Sequence, residues 1–180
     1  MKKNLQYATL GGGCFWCIEA IFKEIRGVIS VSSGYSGGTI ETPSYEQLHY
    51  EKTGHAEVIQ IEFDPNVIDY GELLQIFFTV HDPTTPNRQG NDVGPEYRSI
   101  ILYHDENQKK TAEDIIRTFA ASAWEDRVVT ELVEYKKFWS AEEYHQDFYA
   151  KNPESAYCQI IINPKLTKFK KQFAKKLKSN

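Results

Sequence analysis

Along this chain the apolar residues recur with two periods, and the switches between them mark out the elements. Tyr7-Ala8-Thr9-Leu10 reads as a short strand. Ile18, Ile21, Phe22 and Ile25 then fall at i, i+3, i+4 and i+7, one face of a helix. Residues 28–35 return to strand character and run into a turn at Ser36-Gly37-Gly38. Pro43 sets residues 41–45 as a loop, residues 46–51 read as a short strand or irregular segment, and Thr53-Gly54 is another turn. Residues 55–63 form a strand. On it Glu57, Ile59, Ile61 and Phe63 share the core face, and Ala56, Val58, Gln60 and Glu62 share the other, with Gln60 and Glu62 its wetter part.

Further on, Asp69 followed by Glu72 signals a helix start, and Leu73, Ile76, Phe77 and Val80 supply its stripe. His81-Asp82-Pro83-Thr84-Thr85-Pro86 ends that helix, and the polar, glycine-containing residues 87–96 read as a long loop of the kind that often carries function. Residues 97–103 are a strand. Asp105 caps a helix with Ala112, Ile115, Ile116 and Phe119 on its buried face, and residues 128–135 are a further strand. Ser140-Ala141-Glu142-Glu143 matches a capping box and predicts a short helix through Tyr149, stopped at Asn152-Pro153. No reliable periodicity surrounds Tyr157-Cys158. Leu166, Phe169, Phe173 and Leu177 then make an apolar stripe through seven lysines, which predicts a basic amphipathic helix over 165–178 docked on the body.

This alternation predicts an α/β (α+β) two-layer sandwich: a mixed central sheet, helices packed on it and a long coil-rich C-terminal region. Length and composition fit one domain over residues 1–180, with its core at about 7–158. The net charge is −4, and without the seven C-terminal lysines it is −11, which gives no global case for nucleic acid. No apolar run is long enough to span a bilayer, and Met1-Lys2-Lys3-Asn4 is not followed by the apolar segment of a leader, so a cytoplasmic protein without membrane contact is expected. Three cysteines make no disulfide framework and point to redox or metal chemistry.

The chemistry centres on Gly11-Gly12-Gly13-Cys14-Phe15-Trp16-Cys17. Three glycines between a strand and a helix let the backbone turn sharply and approach a ligand. Cys14 then sits at a helix N-terminus, where free N–H groups and the helix dipole favour a thiolate, and Phe15 or Trp16 forms a pocket wall. Glu57, in line with three large apolar side chains, should be hard to ionise. Three classes compete: a thioredoxin-like dithiol reductase using Cys14 and Cys17; a zinc module, disfavoured because Cys158 and scattered histidines supply no second pair; and a one-thiolate enzyme in which Cys14 attacks and Glu57 supplies a proton.

The 11–17 block is followed in order by Gly34-Tyr35-Ser36-Gly37-Gly38, Pro43-Ser44-Tyr45, Thr53-Gly54-His55-Ala56-Glu57, His81-Asp82-Pro83-Thr84, Asn91-Asp92-Val93-Gly94 with Tyr97-Arg98-Ser99, Ala141-Glu142-Glu143-Tyr144-His145-Gln146 and Tyr157-Cys158. In this the chain resembles the A-type peptide-methionine (S)-S-oxide reductases, from about Tyr7 to Cys158. The resemblance implies reduction of methionine-S-sulfoxide, free or in proteins, to methionine. Carried over by position, Cys14 is the nucleophile, Phe15 and Trp16 the aromatic wall for the substrate methyl, Glu57 the acid, Tyr45 and Tyr97 hydroxyl donors, Asp92 a polar substrate contact and Cys158 a resolving cysteine. It implies thioredoxin as the reductant and no metal, nucleotide or flavin cofactor. A monomer is expected.

Two positions depart from the family's pattern. Cys17 stands where the family usually has Gly, and Glu96 where it commonly has Gln. Neighbours three apart on a helix lie about 5–6 Å apart at Cβ, longer than a relaxed disulfide. Cys158, on a mobile tail, is therefore expected to resolve the Cys14 sulfenic acid first, with Cys17 as the nearby alternative.

Overall fold

The computed structural model describes residues 4–125 and 127–179; Met1, Lys2 and Lys3, read above for a leader, lie outside the described residues. In chain order the elements are β1 (Gln6–Gly11), α1 (Phe15–Lys23), β2 (Val28–Ser36), α2 (Tyr45–Tyr50), β3 (Ala56–Phe63), α3 (Tyr70–Val80), β4 (Arg88–Gln89), β5 (Asp92–Val93) and β6 (Ile100–Tyr103). There follow α4 (Glu106–Ile115), which continues through a π turn into α5 (Ala121–Ala123), then β7 (Glu131–Glu134), β8 (Trp139–Ser140), α6 (Phe148–Lys151) and α7 (Asn163–Gln172).

Six strands form one sheet in the order β7-β6-β1-β3-β2-β8. All neighbours are antiparallel except β6 and β7, so the sheet is mixed, as predicted. One face carries the main core. There Leu10, Ile59, Ile61 and Phe63 meet Ile18, Ile21 and Phe22 of α1, Leu73, Ile76 and Phe77 of α3, and Leu166 and Phe169 of α7. The other face holds Ala56, Val58, Ile100 and Leu102 beneath Val133, Tyr135 and Phe138. The wetter face of β3 is thus dry at its first half, because an extended segment from the end of the sheet covers it.

Four segments differ from their sequence reading. Residues 45–50 are a helix, because Ser44 and Gln47 close a reciprocal capping box. The loop 87–96 contains the β4–β5 hairpin and leads into a 3-10 turn at Pro95–Tyr97. The continuous helix expected from Ser140 through Tyr149 does not form: Trp139 and Ser140 join the sheet edge, only a 3-10 turn at Glu143–His145 and the start of α6 are helical, and Gln146 between them takes the N–H of Ser33 and donates to its carbonyl. A side chain pairing with the backbone of β2 replaces the helix, and Asp147 turns the chain with φ 56°. Outside β7, β8 and a 3-10 turn at Glu143–His145, residues 127–147 are coil and turn, whereas the segment around Cys158 is helical, with a π turn at Cys158–Ile162 running into α7. The basic helix starts at Asn163 with Pro164 in its first turn and ends at Gln172, before a 3-10 turn at Ala174–Lys176.

Candidate active site

Cys14 is the N-cap of α1, with φ −56° and ψ 123°, so it stands outside the helix it opens. The glycines before it serve close packing. Gly13 has φ +93°, and a Cβ there would stand 2.5 Å from Cγ of Gln89. At Gly11 a Cβ would stand 2.8 Å from the backbone oxygen of Glu57. The turn that presents Cys14 is thus pressed against the strand that carries Glu57.

The helix N-terminus was expected to lower the Cys14 thiol. Burial outweighs it: desolvation, a hydrogen bond shared with Cys17 and the charge of Glu57 raise Cys14 well above the usual thiol range. That same bond lowers Cys17 to about 7. Cys17 is thus the thiol drawn toward the charged form, and the Tyr157 hydroxyl also approaches it at 3.7 Å.

Glu57 lies on β3 opposite Tyr35 of β2 and is 1% exposed. Its Oε2 accepts the N–H of Phe15 at 3.0 Å, which satisfies one free donor of α1. Burial is the largest cause raising it to about 8, reinforced by the negative charges of Asp92 and Glu96 and opposed by the Phe15 N–H. At neutral pH Glu57 is a neutral acid, and with Oε2 accepting a backbone donor its proton sits on Oε1.

Tyr45 and Tyr97 come to this acid from α2 and from the 3-10 turn. Each phenol is pushed up by burial first and then by the charge of Glu57, and each also senses Cys14. Among the described residues neither hydroxyl has a hydrogen-bond partner, so both are free to donate. Asp92, on β5, is half-buried, and burial raises its carboxyl. Trp16 donates from Nε1 to Nδ1 of His145 at 3.0 Å, stacks on Phe148 at 3.6 Å and meets Tyr157 edge-on. Phe15 lies behind it in the core, fully buried against Tyr35 and His145. Trp16 is the exposed wall of the predicted pair, and Phe15 is its backing.

Cys158 is fully buried on the π turn before α7, packed with Cys17, Ala20 and Ile162, while Cys14 touches the edge of that cluster. This corrects the expectation of a cysteine on a mobile tail; a helical arm pins it to α1. All three cysteines are free thiols.

Three residues were not singled out from the sequence. His49 stands between Glu57 and Glu96, with Nδ1 3.0 Å from Glu96 Oε1 and Nε2 3.7 Å from Glu57 Oε1. Glu142 accepts the Tyr45 N–H at 2.8 Å and the Tyr35 hydroxyl at 2.7 Å, which fixes the start of α2 to the sheet. His145 orients Trp16. The signal for His49 was present: once the Ser44/Gln47 box is read as a helix start, Tyr45 and His49 are i, i+4 neighbours on one face. His55 and His81 are structural, their ring nitrogens bonded to Gly38 and Ile40 and to Phe77 and Ser99 respectively. Among the described residues no cluster of His, Cys, Asp or Glu has the form of a metal site.

A helix-capping thiol, a partner thiol and a buried carboxyl near two free phenols suit a thiol-based oxidoreductase. Comparison with known proteins narrows the class. The sequence model of the peptide methionine sulfoxide reductases matches residues 6–177, running past Cys158 through α7. The peptide methionine sulfoxide reductase MsrA of Sulfolobus acidocaldarius is 58% identical over 172 residues, 96% of this chain and 97% of that protein. Among solved structures, reduced Mxr1 from Saccharomyces cerevisiae superposes with a TM-score of 0.80 at 32% identity, covering 88% of this chain and 91% of that one. Mxr1 in complex with Trx2 matches with a TM-score of 0.57 at 26% identity over 81% of this chain and 86% of that one. The chain belongs to the peptide methionine sulfoxide reductase family.

Proposed function

We propose that this enzyme reduces methionine-S-sulfoxide with Cys14 as nucleophile and Glu57 as acid. The observation that carries the reading is a carboxyl buried at 1% exposure and bonded through Oε2 to the N–H of Phe15, next to the thiol that caps the same helix. A sulfoxide oxygen leaves poorly until it is protonated. Cys14 Sγ bonds to the sulfoxide sulfur as the oxygen takes the proton of Glu57. The S–O bond then breaks, methionine leaves with its sulfur reduced, and the oxygen ends on Cys14 as a sulfenic acid. The proton of the Cys14 thiol, passed to Cys17 as Cys14 becomes the nucleophile, restores the balance, so the step exchanges one oxygen with no net proton. Tyr45 and Tyr97 donate to the developing charge on oxygen without adding charge of their own. Trp16, backed by Phe15, holds the methyl group, and Asp92 contacts the polar part of the substrate.

Cys17 meets the sulfenic acid first, reversing the order expected from sequence. The spacing objection applies to two helical residues. Cys14 is an N-cap, and an N-cap side chain reaches over the third helical residue, which is Cys17. The Cys17 sulfur attacks the sulfenic sulfur, water leaves, and a disulfide forms. Cys158, packed against Cys17, then exchanges with it and frees Cys14. The yeast neighbour's complex with Trx2 supports a thioredoxin as the external dithiol.

The test is stoichiometric reduction of each sulfoxide epimer, with mass analysis of the cysteines. Methionine is expected from the S epimer only, and none from Cys14→Ser. Brisk reduction of insulin disulfides with both sulfoxides untouched would establish a general dithiol reductase instead.

A further inference from the structure

Glu57 has a neighbour that the proposed reaction leaves idle. His49 is held edge-on to Tyr45 at 4.2 Å between ring centres, with Tyr97 at 5.9 Å. Its side chain is 18% exposed and lies between two carboxylates. Nδ1 is bonded to Glu96 at 3.0 Å, so in neutral His49 the ring proton is on Nδ1. Nε2 is shut off from solvent, has no hydrogen-bond partner and points at Oε1 of Glu57 from 3.7 Å. Glu96 is itself buried, at 7% exposure, where the family commonly has Gln.

We propose that Glu96 is a positioning residue for the acid: by engaging His49 through Nδ1 it stops the imidazole from drawing Glu57 into an ion pair, and so keeps the proton on Oε1. This rests on the reading of Glu57 as the acid. A charged imidazolium with little access to water needs a counter-charge. With Glu96 present, the imidazole is engaged through Nδ1 at 3.0 Å and Glu57 stays a neutral carboxyl. With Glu96 gone, Glu57 is, among the described residues, the carboxyl left within ion-pair distance of His49, Asp92 sensing the imidazole only from farther off, and an ionised Glu57 has nothing to give the sulfoxide. When His49 is neutral, the charge of Glu96 acts through space in the same sense, by opposing a second negative charge nearby.

The other groups facing Glu57 do not offer this control. Cys14 and Cys17 of α1, Asp92 of β5, Tyr45 of α2, Tyr35 of β2 and Tyr97 are neutral or anionic. Lys165 of α7 acts on Asp92 and Cys17. Among the described residues His49 is the one side chain within ion-pair distance of Glu57 that is able to carry positive charge.

The experiment reads the Glu57 proton in two ways. One is the pH profile of methionine release in a single turnover. The other is the infrared band of a protonated carboxyl, assigned to Glu57 by its loss in Glu57→Gln. In Glu96→Gln the alkaline edge of the profile should move down by about one pH unit or more, a tenfold smaller acid population above the new edge, and the band should weaken at pH 7. Glu96→Ser, a smaller neutral replacement, should do the same and guards against a folding failure of the first variant. His49→Gln should not lower the edge, and adding it to Glu96→Gln should restore the edge and the band. The proposal is overturned if neither Glu96 variant moves either readout, or if the double variant stays as shifted as Glu96→Gln. A normal single-turnover rate in Glu57→Gln would instead remove Glu57 as the acid, while the band would still report whether Glu96 governs its proton.

Discussion

Glu57 and Cys158 are buried to nearly the same degree, at 1% and 0% exposure, yet their burial means opposite things. Glu57 sits on an inner strand, hydrogen-bonded on both sides, with the turn of Gly11 pressed on its backbone. Nothing there has to move, and the dry setting itself makes the chemistry, because it turns a carboxylate into an acid. Cys158 sits on an arm laid over α1. Leu166 and Phe169 anchor the arm in the core, an isolated bridge joins Leu177 to Ile25, and the ion pairs Lys170–Glu24 and Lys176–Glu72 lie on its surface. Surface pairs of this kind add little, so a few apolar side chains hold the arm down. In the cycle proposed above, Cys158 has to come out to hand its disulfide to an external dithiol. On that proposal one burial is permanent and serves catalysis; the other is undone once per cycle.

The sharpest way to break this contrast is Glu57→Gln. Methionine release in a single turnover should fall by about 10²–10⁴, the usual weight of a general acid. The same variant tests whether burying the acid costs stability. The folded-state pKa of Glu57 is raised, to about 8 from a usual 4.5. The folded state therefore binds this proton more tightly than the unfolded chain does. The resulting stabilisation is fully present below pH 4.5 and is lost as pH rises to about 8. Converted at 1.36 kcal/mol per unit, the loss is roughly 3–5 kcal/mol. Gln stays neutral throughout. The melting temperature of Glu57→Gln relative to wild type should climb between about pH 5 and pH 8 and then level off. A difference independent of pH would mean that Glu57 is not held neutral by its surroundings.

Next in size are the phenols. If Tyr45 and Tyr97 donate to one oxygen, each single Phe variant should cost less than about tenfold in the same assay, and the pair together about a hundredfold or more. Equal, additive losses would assign them separate tasks.

The burial of Glu57 was legible in the sequence because its environment is local: alternation along residues 57–63 places it on the core face whatever the rest of the fold does. Cys14 was legible because a run of glycines before a helical stripe leaves few places for a strand to end. The pairing of His49 with Glu96 was not, since it joins α2 to a 3-10 turn 47 residues away; helical spacing puts His49 on the face of Tyr45 but says nothing of what that face meets. Residues 140–149 misled for the same reason. Their helix signature is genuine, but Gln146 and Glu142 gain partners on β2 and α2 that a local reading cannot see. Cys158 looked mobile because its segment lacks a stripe of its own; what buries it is the stripe of α7 further along.

A smaller effect separates the two resolving thiols. With thioredoxin as reductant, Cys17→Ser should stall after one turnover, the sulfenic acid persisting on Cys14. Cys158→Ser should keep forming the Cys14–Cys17 disulfide and recycle more slowly. Methionine release in the first turnover should match wild type in Cys158→Ser. A Cys14–Cys158 bond as the first product in wild type would reinstate the order expected from sequence.

The smallest expected change in the chemistry is also the most direct probe of the arm. Phe169 is 2% exposed and stacks on Phe173 with ring centres 5.2 Å apart. Phe169→Ala removes the larger of the two buried side chains by which α7 enters the core, at a cost on the order of 3 kcal/mol. If the arm opens as a unit distinct from the sheet, that cost falls on the local opening rather than on the whole fold. Cys158 should then react with an alkylating reagent about a hundredfold faster under native conditions, while the far larger contact network of the sheet keeps Glu57 and the first turnover within about twofold of wild type. Glu57 and Cys158 would respond in concert only if sheet and arm unfolded together. In that case labelling of Cys158 would speed up no more than the global stability fell, the first turnover would decline with it, and the distinction between a fixed burial and a reversible one would not hold.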